Sequence, residues 1–260
     1  MKLEILNDEL LPAYKESIAH LDLSKKFEAL KDAEISTDTF SFYTSVASVF
    51  SSKIEGEEID LDSYIKHRSM GIQFKPDYTR KIDDLYNAYE FAKTNSLTPN
   101  HIAIVHTLLA KNIVAKKFLG KMRNSEMFVT TDDGKIEYVA TSPYILKKEM
   151  VKFYNDVAAL LKQELMIEEV FYYAACIHLI FVKIHPWNDG NGRCARLIEK
   201  WFIAQHLGEK AWFLKSEKVY YNHHREYYKA LRLLGLEYEN LDYSKAISFL
   251  QMLPQSLIEN

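Results

Sequence analysis

Apolar residues recur at intervals of three and four through most of the chain, the period that gathers them on one face of a helix. Phe42, Tyr43, Val46, Val49, Phe50 and Ile54 keep this spacing and predict a helix over about 39–55, with Ser36-Thr37-Asp38 as its cap and Gly56 as its stop. Two short amphipathic stretches precede it in residues 3–35, and Asp60 to Met70 predicts a short helix after it. Ile82, Leu85, Tyr86, Tyr89 and Phe91 predict a helix over 77–93, and Thr98-Pro99 supplies a cap and a first-turn proline for one ending near Lys111. Ser142-Pro143 opens another, to about Lys162. Glu168 to Val182, inside an apolar run reaching Ile184, is apolar on nearly all sides, which predicts a buried central helix. A helix over 193–207 follows, with Leu197, Ile198, Trp201 and Phe202 inward and Gly208 at its end. Ser216 caps the next, which carries a tyrosine cluster and runs towards Gly235, and a last amphipathic helix spans 242–257.

One stretch breaks the helical period. Met127-Phe128-Val129-Thr130 and Ile136-Glu137-Tyr138-Val139 are β-prone runs joined across Thr131-Asp132-Asp133-Gly134, and Asp-Gly is a strong turn signal. They predict a hairpin over about 122–140. A lone two-stranded hairpin is marginal in water, so it is expected to lie against the helices. The fold class is therefore all-α with one β-hairpin.

Composition adds mainly exclusions. With 260 residues and 48% hydrophobic content the chain can build a substantial core. A formal net charge of −3 without a local basic stripe argues against nucleic acid as a partner. The apolar run near Val170 to Val182 is too short for a bilayer and contains His178, so no membrane is expected, and Met1 to Asp8 interrupts its apolar residues with acids, unlike a signal peptide. Cys176 and Cys194 are the two cysteines, which suits a reducing cytoplasm rather than a disulfide framework. His178 reads as a core histidine. The pairs His223-His224 and His101 with His106 lack the acidic or cysteine partners that a zinc site needs.

The chemistry concentrates in His185-Pro-Trp-Asn-Asp-Gly-Asn-Gly-Arg-Cys-Ala-Arg196. An imidazole with an ordinary pKa of roughly 6.5 makes His185 a candidate general base. Asp189 is a hard oxygen ligand of the kind Mg²⁺ takes alongside substrate phosphates and water. Gly190 and Gly192 remove two β-carbons where a loop enters a helix, so backbone N–H groups can approach a phosphate. Arg193 and Arg196, three apart, share a face near the positive end of that helix. Gly190, Gly192 and Ala195 also fit a dinucleotide fingerprint, but no strand precedes them, and no Lys-Ser/Thr follows to make a P-loop.

This stretch resembles the Fic family signature His-x-Phe-x-Asp/Glu-Gly-Asn-Gly-Arg-x-x-Arg, with Trp187 standing where the family usually carries Phe. The resemblance implies a Fic-like helical domain with packed N-terminal helices and a hairpin flap over about 122–140 that binds the target protein by strand addition. It implies three parts: an N-terminal helical region over 1–95, a catalytic domain over 96–240 and a C-terminal helix over 241–260. The implied reaction is transfer of AMP from ATP, with Mg²⁺ held by Asp189, to a Ser, Thr or Tyr hydroxyl deprotonated by His185. Gly190, Asn191 and Gly192 would cradle the anion, Arg193 and Arg196 would neutralise the outer phosphates, and Tyr227 and Tyr228 resemble the tyrosine pair beside the nucleotide. Ser51-Ser52-Lys53-Ile54-Glu55-Gly56 resembles the family's inhibitory motif, which implies that Ser51 and Glu55, on a helix over about 39–56, restrain the enzyme by pairing Glu55 with Arg196. Removal of AMP, transfer of another phosphate-linked group, and a catalytically silent nucleotide-binding module remain alternatives, and a homo-oligomer is left open.

Overall fold

A computed structural model describes residues 3–31, 41–130 and 136–259. The helices expected up to residue 207 form, and the order of elements is α1 (Leu11–Ile18), α2 (Leu23–Glu28), α3 (Phe42–Ile54), α4 (Leu61–Met70), α5 (Pro76–Thr94), α6 (Pro99–Leu109), the hairpin β1 (Phe128–Thr130) and β2 (Ile136–Val139), α7 (Pro143–Leu160), α8 (Ile167–Ile184), α9 (Asn191–Leu207), α10 (Ser216–Asn222), α11 (His224–Leu233), α12 (Ile247–Leu250) and α13 (Met252–Gln255). Every residue of α8 from Val170 to Ile184 is buried, so its continuous apolar surface serves as the axis on which α1, α2, α7, α9 and α12 pack. A second, smaller apolar cluster of Val49, Ile59, Tyr64, Ile82 and Tyr86 joins α3, α4 and α5.

Several local devices act as the sequence leads one to expect. Thr98 Oγ1 accepts from His101 N at 3.2 Å, capping α6. Gly56, at φ +85°, closes α3 with Gly56 N donating to Lys53 O and Glu57 N to Ser52 O, each at 3.1 Å, a Schellman turn that needs a residue free to adopt positive φ. The Ser36-Thr37-Asp38 cap lies outside the described residues; α3 is capped by Ser41, whose hydroxyl accepts from Thr44 N. The Thr131 to Gly134 turn also lies outside them.

Elsewhere tertiary packing overrides the pattern. Ser216 caps nothing: it is the first residue of α10, after Lys215. The helix expected from there to Gly235 breaks at His223, and the break brings the Tyr220 and Tyr227 rings to 5.2 Å from one another around His178. The stretch expected as one helix over 242–257 is a series of short turns and helices; Pro254 has no N–H to donate to Leu250 O, and α12 ends at Leu250. Asp156, buried in α7, accepts from the backbone N–H groups of Glu4, Ile5 and Leu6 at 2.7–3.0 Å and so ties the start of the chain to the core.

Buried charge also joins the layers. Lys200 Nζ donates to Glu217 Oε2 at 2.6 Å and to Leu214 O at 2.7 Å, while the Tyr89 hydroxyl donates to Glu217 Oε1 at 2.6 Å. Both charged side chains are inaccessible, at 1% and 0% exposure. Glu217→Ala would strand the ammonium in the core, and a loss of about 3–5 kcal/mol in urea-unfolding stability is expected. A loss below about 1 kcal/mol would show that water or another group compensates Lys200.

Candidate active site

The site forms where α8 ends and α9 begins. Pro186 cannot continue α8, and His185 caps it in the left-handed region at φ +54°, unusual for a residue with a β-carbon. Arg123 holds that conformation in place. Its Nε donates to His185 O at 2.7 Å, its backbone N to Pro186 O at 2.9 Å, Nη1 to Ser125 O at 2.7 Å, and Nη2 to Thr141 O. One buried guanidinium thus ties both roots of the hairpin to the loop.

The imidazole of His185 is half-buried. Its Nδ1 lies 3.2 Å from Val182 O and 3.0 Å from the Tyr138 hydroxyl, which itself donates to Val182 O at 3.0 Å. A carbonyl only accepts, so Nδ1 carries the proton and Nε2 keeps its lone pair. Burial, aided by the charge of Arg123, pulls the pKa down to about 4 against the opposing effects of the Val182 hydrogen bond and Glu55. The ring is neutral at physiological pH.

The loop from Trp187 to Gly190 is shaped by groups the sequence does not mark as structural. Trp187 is buried and stacks on His106 with ring centroids 4.4 Å apart and planes at 15°. His106 accepts from Gly120 N at 2.9 Å through Nδ1 and donates from Nε2 to Asp189 O at 3.1 Å; burial lowers its pKa to about 4, which keeps it neutral. Asn191, expected beside the two glycines at the anion, uses its side-chain amide within the loop, accepting from Trp187 N at 2.8 Å and donating to Trp187 O at 2.9 Å. What it can offer an anion is its backbone N–H. Asp189 is exposed, with Oδ1 accepting from Gly190 N at 2.6 Å.

Arg193 and Arg196 are 3% and 1% exposed and lie near the start of α9. Arg196 Nη2 meets Glu55 Oε1 at 2.6 Å and Ser51 O at 3.0 Å, and its Nε donates to Ser51 Oγ at 2.9 Å. The Glu55 carboxylate also sits against Gly192, in the space where a β-carbon would stand. Burial pushes the Glu55 carboxyl up, but Arg196 and Arg193 outweigh it and hold it below the usual range. Past the Gly56 turn a second acid follows: Glu57 Oε1 lies 3.5 Å from Arg193 Nη2 and 2.6 Å from Lys81 Nζ. Two carboxylates, two residues apart, therefore face the two arginines.

Tyr227 is 2% exposed, and its hydroxyl lies 3.0 Å from His178 Nε2; His178 Nδ1 donates to Glu199 Oε2 at 2.7 Å. Burial raises the Tyr227 pKa to about 12. Tyr228, edge-on to Tyr227, is partly exposed. The sequence-derived set is thus gathered around the start of α9, with Tyr227 beneath it rather than on an open wall. Tyr138, Arg123, His106 and Glu57 were not legible as site residues, since none belongs to a local pattern.

Residues 96–203, which hold all of this loop and both arginines, match a model of the Fic/DOC family. The chain carries a Fic domain. A protein adenylyltransferase Fic from Nematostella vectensis is 32% identical over 112 residues, a match that covers 43% of this chain and 24% of that protein. The chain therefore matches about a quarter of that relative's length. In fold it is similar to a Fic family protein from Desulfovibrio desulfuricans G20, with a TM-score of 0.77 at 17% identity over 95% of this chain and 73% of that one. A Fic domain containing signaling protein from Bacteroides thetaiotaomicron VPI-5482 gives 0.67 at 17% identity, over 91% of each chain. Around the Fic domain, α1 and α2 pack on α8, and α3 brings Glu55 to α9. Among the described residues no helix is long and apolar enough to cross a membrane.

Proposed function

We propose that this chain is a protein adenylyltransferase that transfers AMP from ATP to a Ser, Thr or Tyr hydroxyl of a target protein and is restrained by Glu55. The carrying observation is the Glu55 carboxylate seated against Gly192 and Arg196: a side-chain anion at a helix start, gripped by a buried guanidinium, marks a seat suited to phosphate. In the reaction, His185 Nε2 takes the proton of the acceptor hydroxyl as its oxygen attacks the α-phosphorus. The bond from that phosphorus to the bridging oxygen breaks, and pyrophosphate leaves.

Arg193 and Arg196 neutralise the outer phosphates, and the backbone of Gly190, Asn191 and Gly192 receives the anion. Such transfer depends mainly on positioning and charge, so this short set suffices. Tyr228, with Tyr227 behind it, borders the adenosine side. Asp189 suits Mg²⁺ because a single exposed carboxylate meets its need for one or two protein oxygens beside phosphates and water, and the ion would supply charge neutralisation there. The target is taken to add a strand along β1, flanked by Phe128 and Ile136, which are 53% and 51% exposed. Two buried free thiols suit a reducing, cytoplasmic setting.

The test is incubation of the wild type and Glu55→Gly with labelled ATP, other nucleoside triphosphates and a lysate, with products read by mass spectrometry. AMP on a protein hydroxyl is expected. Preference for another nucleotide, or release of AMP from a premodified protein, would move the reading to the corresponding alternative, and no transfer in either variant would sink it. Asp189→Ala is expected to lose both the activity and its dependence on Mg²⁺; residual activity that still rises with added Mg²⁺ would assign the ligand elsewhere.

A further inference from the structure

We infer that Tyr138, carried on the inner strand of the hairpin, is a positioning residue that, together with Val182 O, holds the His185 imidazole by Nδ1 and so fixes which ring nitrogen meets the acceptor. The inference rests on the reading of His185 as the base. Three atoms make the case: the Tyr138 oxygen, His185 Nδ1 and Val182 O are mutually within 3.0–3.2 Å. With the Tyr138 hydroxyl donating to Val182 O, its oxygen can only accept from Nδ1–H, and this keeps Nε2 unprotonated. The opposite arrangement would set the Nδ1 lone pair against a carbonyl oxygen, so it is disfavoured.

Tyr138 is well held for this role. It is 3% exposed, meets the imidazole edge-on at 5.9 Å and 70°, and lies under the Lys183 ammonium, 4.3 Å from its ring centre. Its strand is braced on both sides: Val129 pairs with Tyr138 across the hairpin, and Val139 N donates to Leu236 O at 2.7 Å. The charged groups that bear on the imidazole are Arg123 from the hairpin root, Glu55 from the end of α3, and, across the Tyr138 ring, Lys183 of α8. All of them remain when only the hydroxyl is removed. A hairpin seated on the core and a correctly oriented base thus share one side chain.

Tyr138→Phe removes the oxygen and keeps the ring. The first arm needs no turnover: ¹H–¹⁵N spectra of the full chain labelled at histidine, with the His185 signals assigned by their loss in His185→Ala. Wild type is expected to give the Nδ1–H tautomer, and Tyr138→Phe a mixed or exchange-broadened signal. The second arm, in the Glu55→Gly background, is expected to give a roughly tenfold lower kcat with the KM for ATP within about twofold, and a shifted acid limb in the pH profile. An unchanged tautomer together with unchanged kcat would overturn the inference, as would equal losses in kcat, ATP affinity and thermal stability. If no nucleotide is turned over by either protein, the reading of the reaction fails, and the spectra still decide whether Tyr138 holds the ring.

Discussion

His185→Ala is expected to lower nucleotide transfer by at least about a hundredfold while changing ATP affinity by no more than about twofold. The asymmetry follows from the geometry. The imidazole is anchored by Val182 O and Tyr138 through Nδ1, leaving Nε2 for an acceptor, whereas the groups suited to phosphate belong to the start of α9. With a pKa near 4, the ring is already neutral at neutral pH, with Nε2 free, and its competence as a base is lost only as pH falls through about 4. The acid limb of kcat/KM should therefore lie well below the roughly 6.5 of an ordinary histidine. Glu55 opposes the lowering, so measurement in a Glu55→Gly background should move the limb lower still. Calorimetry of ATP binding beside transfer rates checks the separation; a matched loss of binding and rate would reassign His185 to the nucleotide site.

Glu55→Gly is expected to raise transfer more than about tenfold. A charge-assisted pair between Arg196 and Glu55 competes for the same guanidinium as a phosphate would, and the carboxylate also fills the space opened by Gly192. Its removal leaves a guanidinium of 1% exposure without a counter-charge, though still bonded to Ser51 Oγ and Ser51 O. A stability loss of about 1–3 kcal/mol is expected without nucleotide, and ATP should restore more of the melting temperature in the variant than in the wild type. Glu57, which faces Arg193 at 3.5 Å and is shared with Lys81, should retain a weaker restraint in the single variant. No gain over wild type, measured where His185→Ala still shows a loss from a basal rate, would return Glu55 to a structural role at the end of α3.

The chain alone determines the helices, because a period of 3.6 residues and the caps at Thr98 and Gly56 are properties of near neighbours. It determines the hairpin as well, and the concentration of reactive side chains between His185 and Arg196. Where a local pattern was extended too far, over 216–235 and 242–257, the chain breaks into shorter helices, and over the first of these the Tyr220 and Tyr227 rings meet across the break. Tertiary structure decided what those side chains touch. Tyr138 reaches His185 across 47 residues and Glu55 reaches Arg196 across 141, and no helical or strand period extends over such separations. The same holds for Arg123 at the roots of the hairpin, His106 beneath Trp187, and Glu57 opposite Arg193. Asn191 makes the point within a single loop. Its residue type suits an anion, but the closure of the turn from Trp187 occupies both ends of its amide, because a buried loop must pair its backbone before a side chain is free for a ligand.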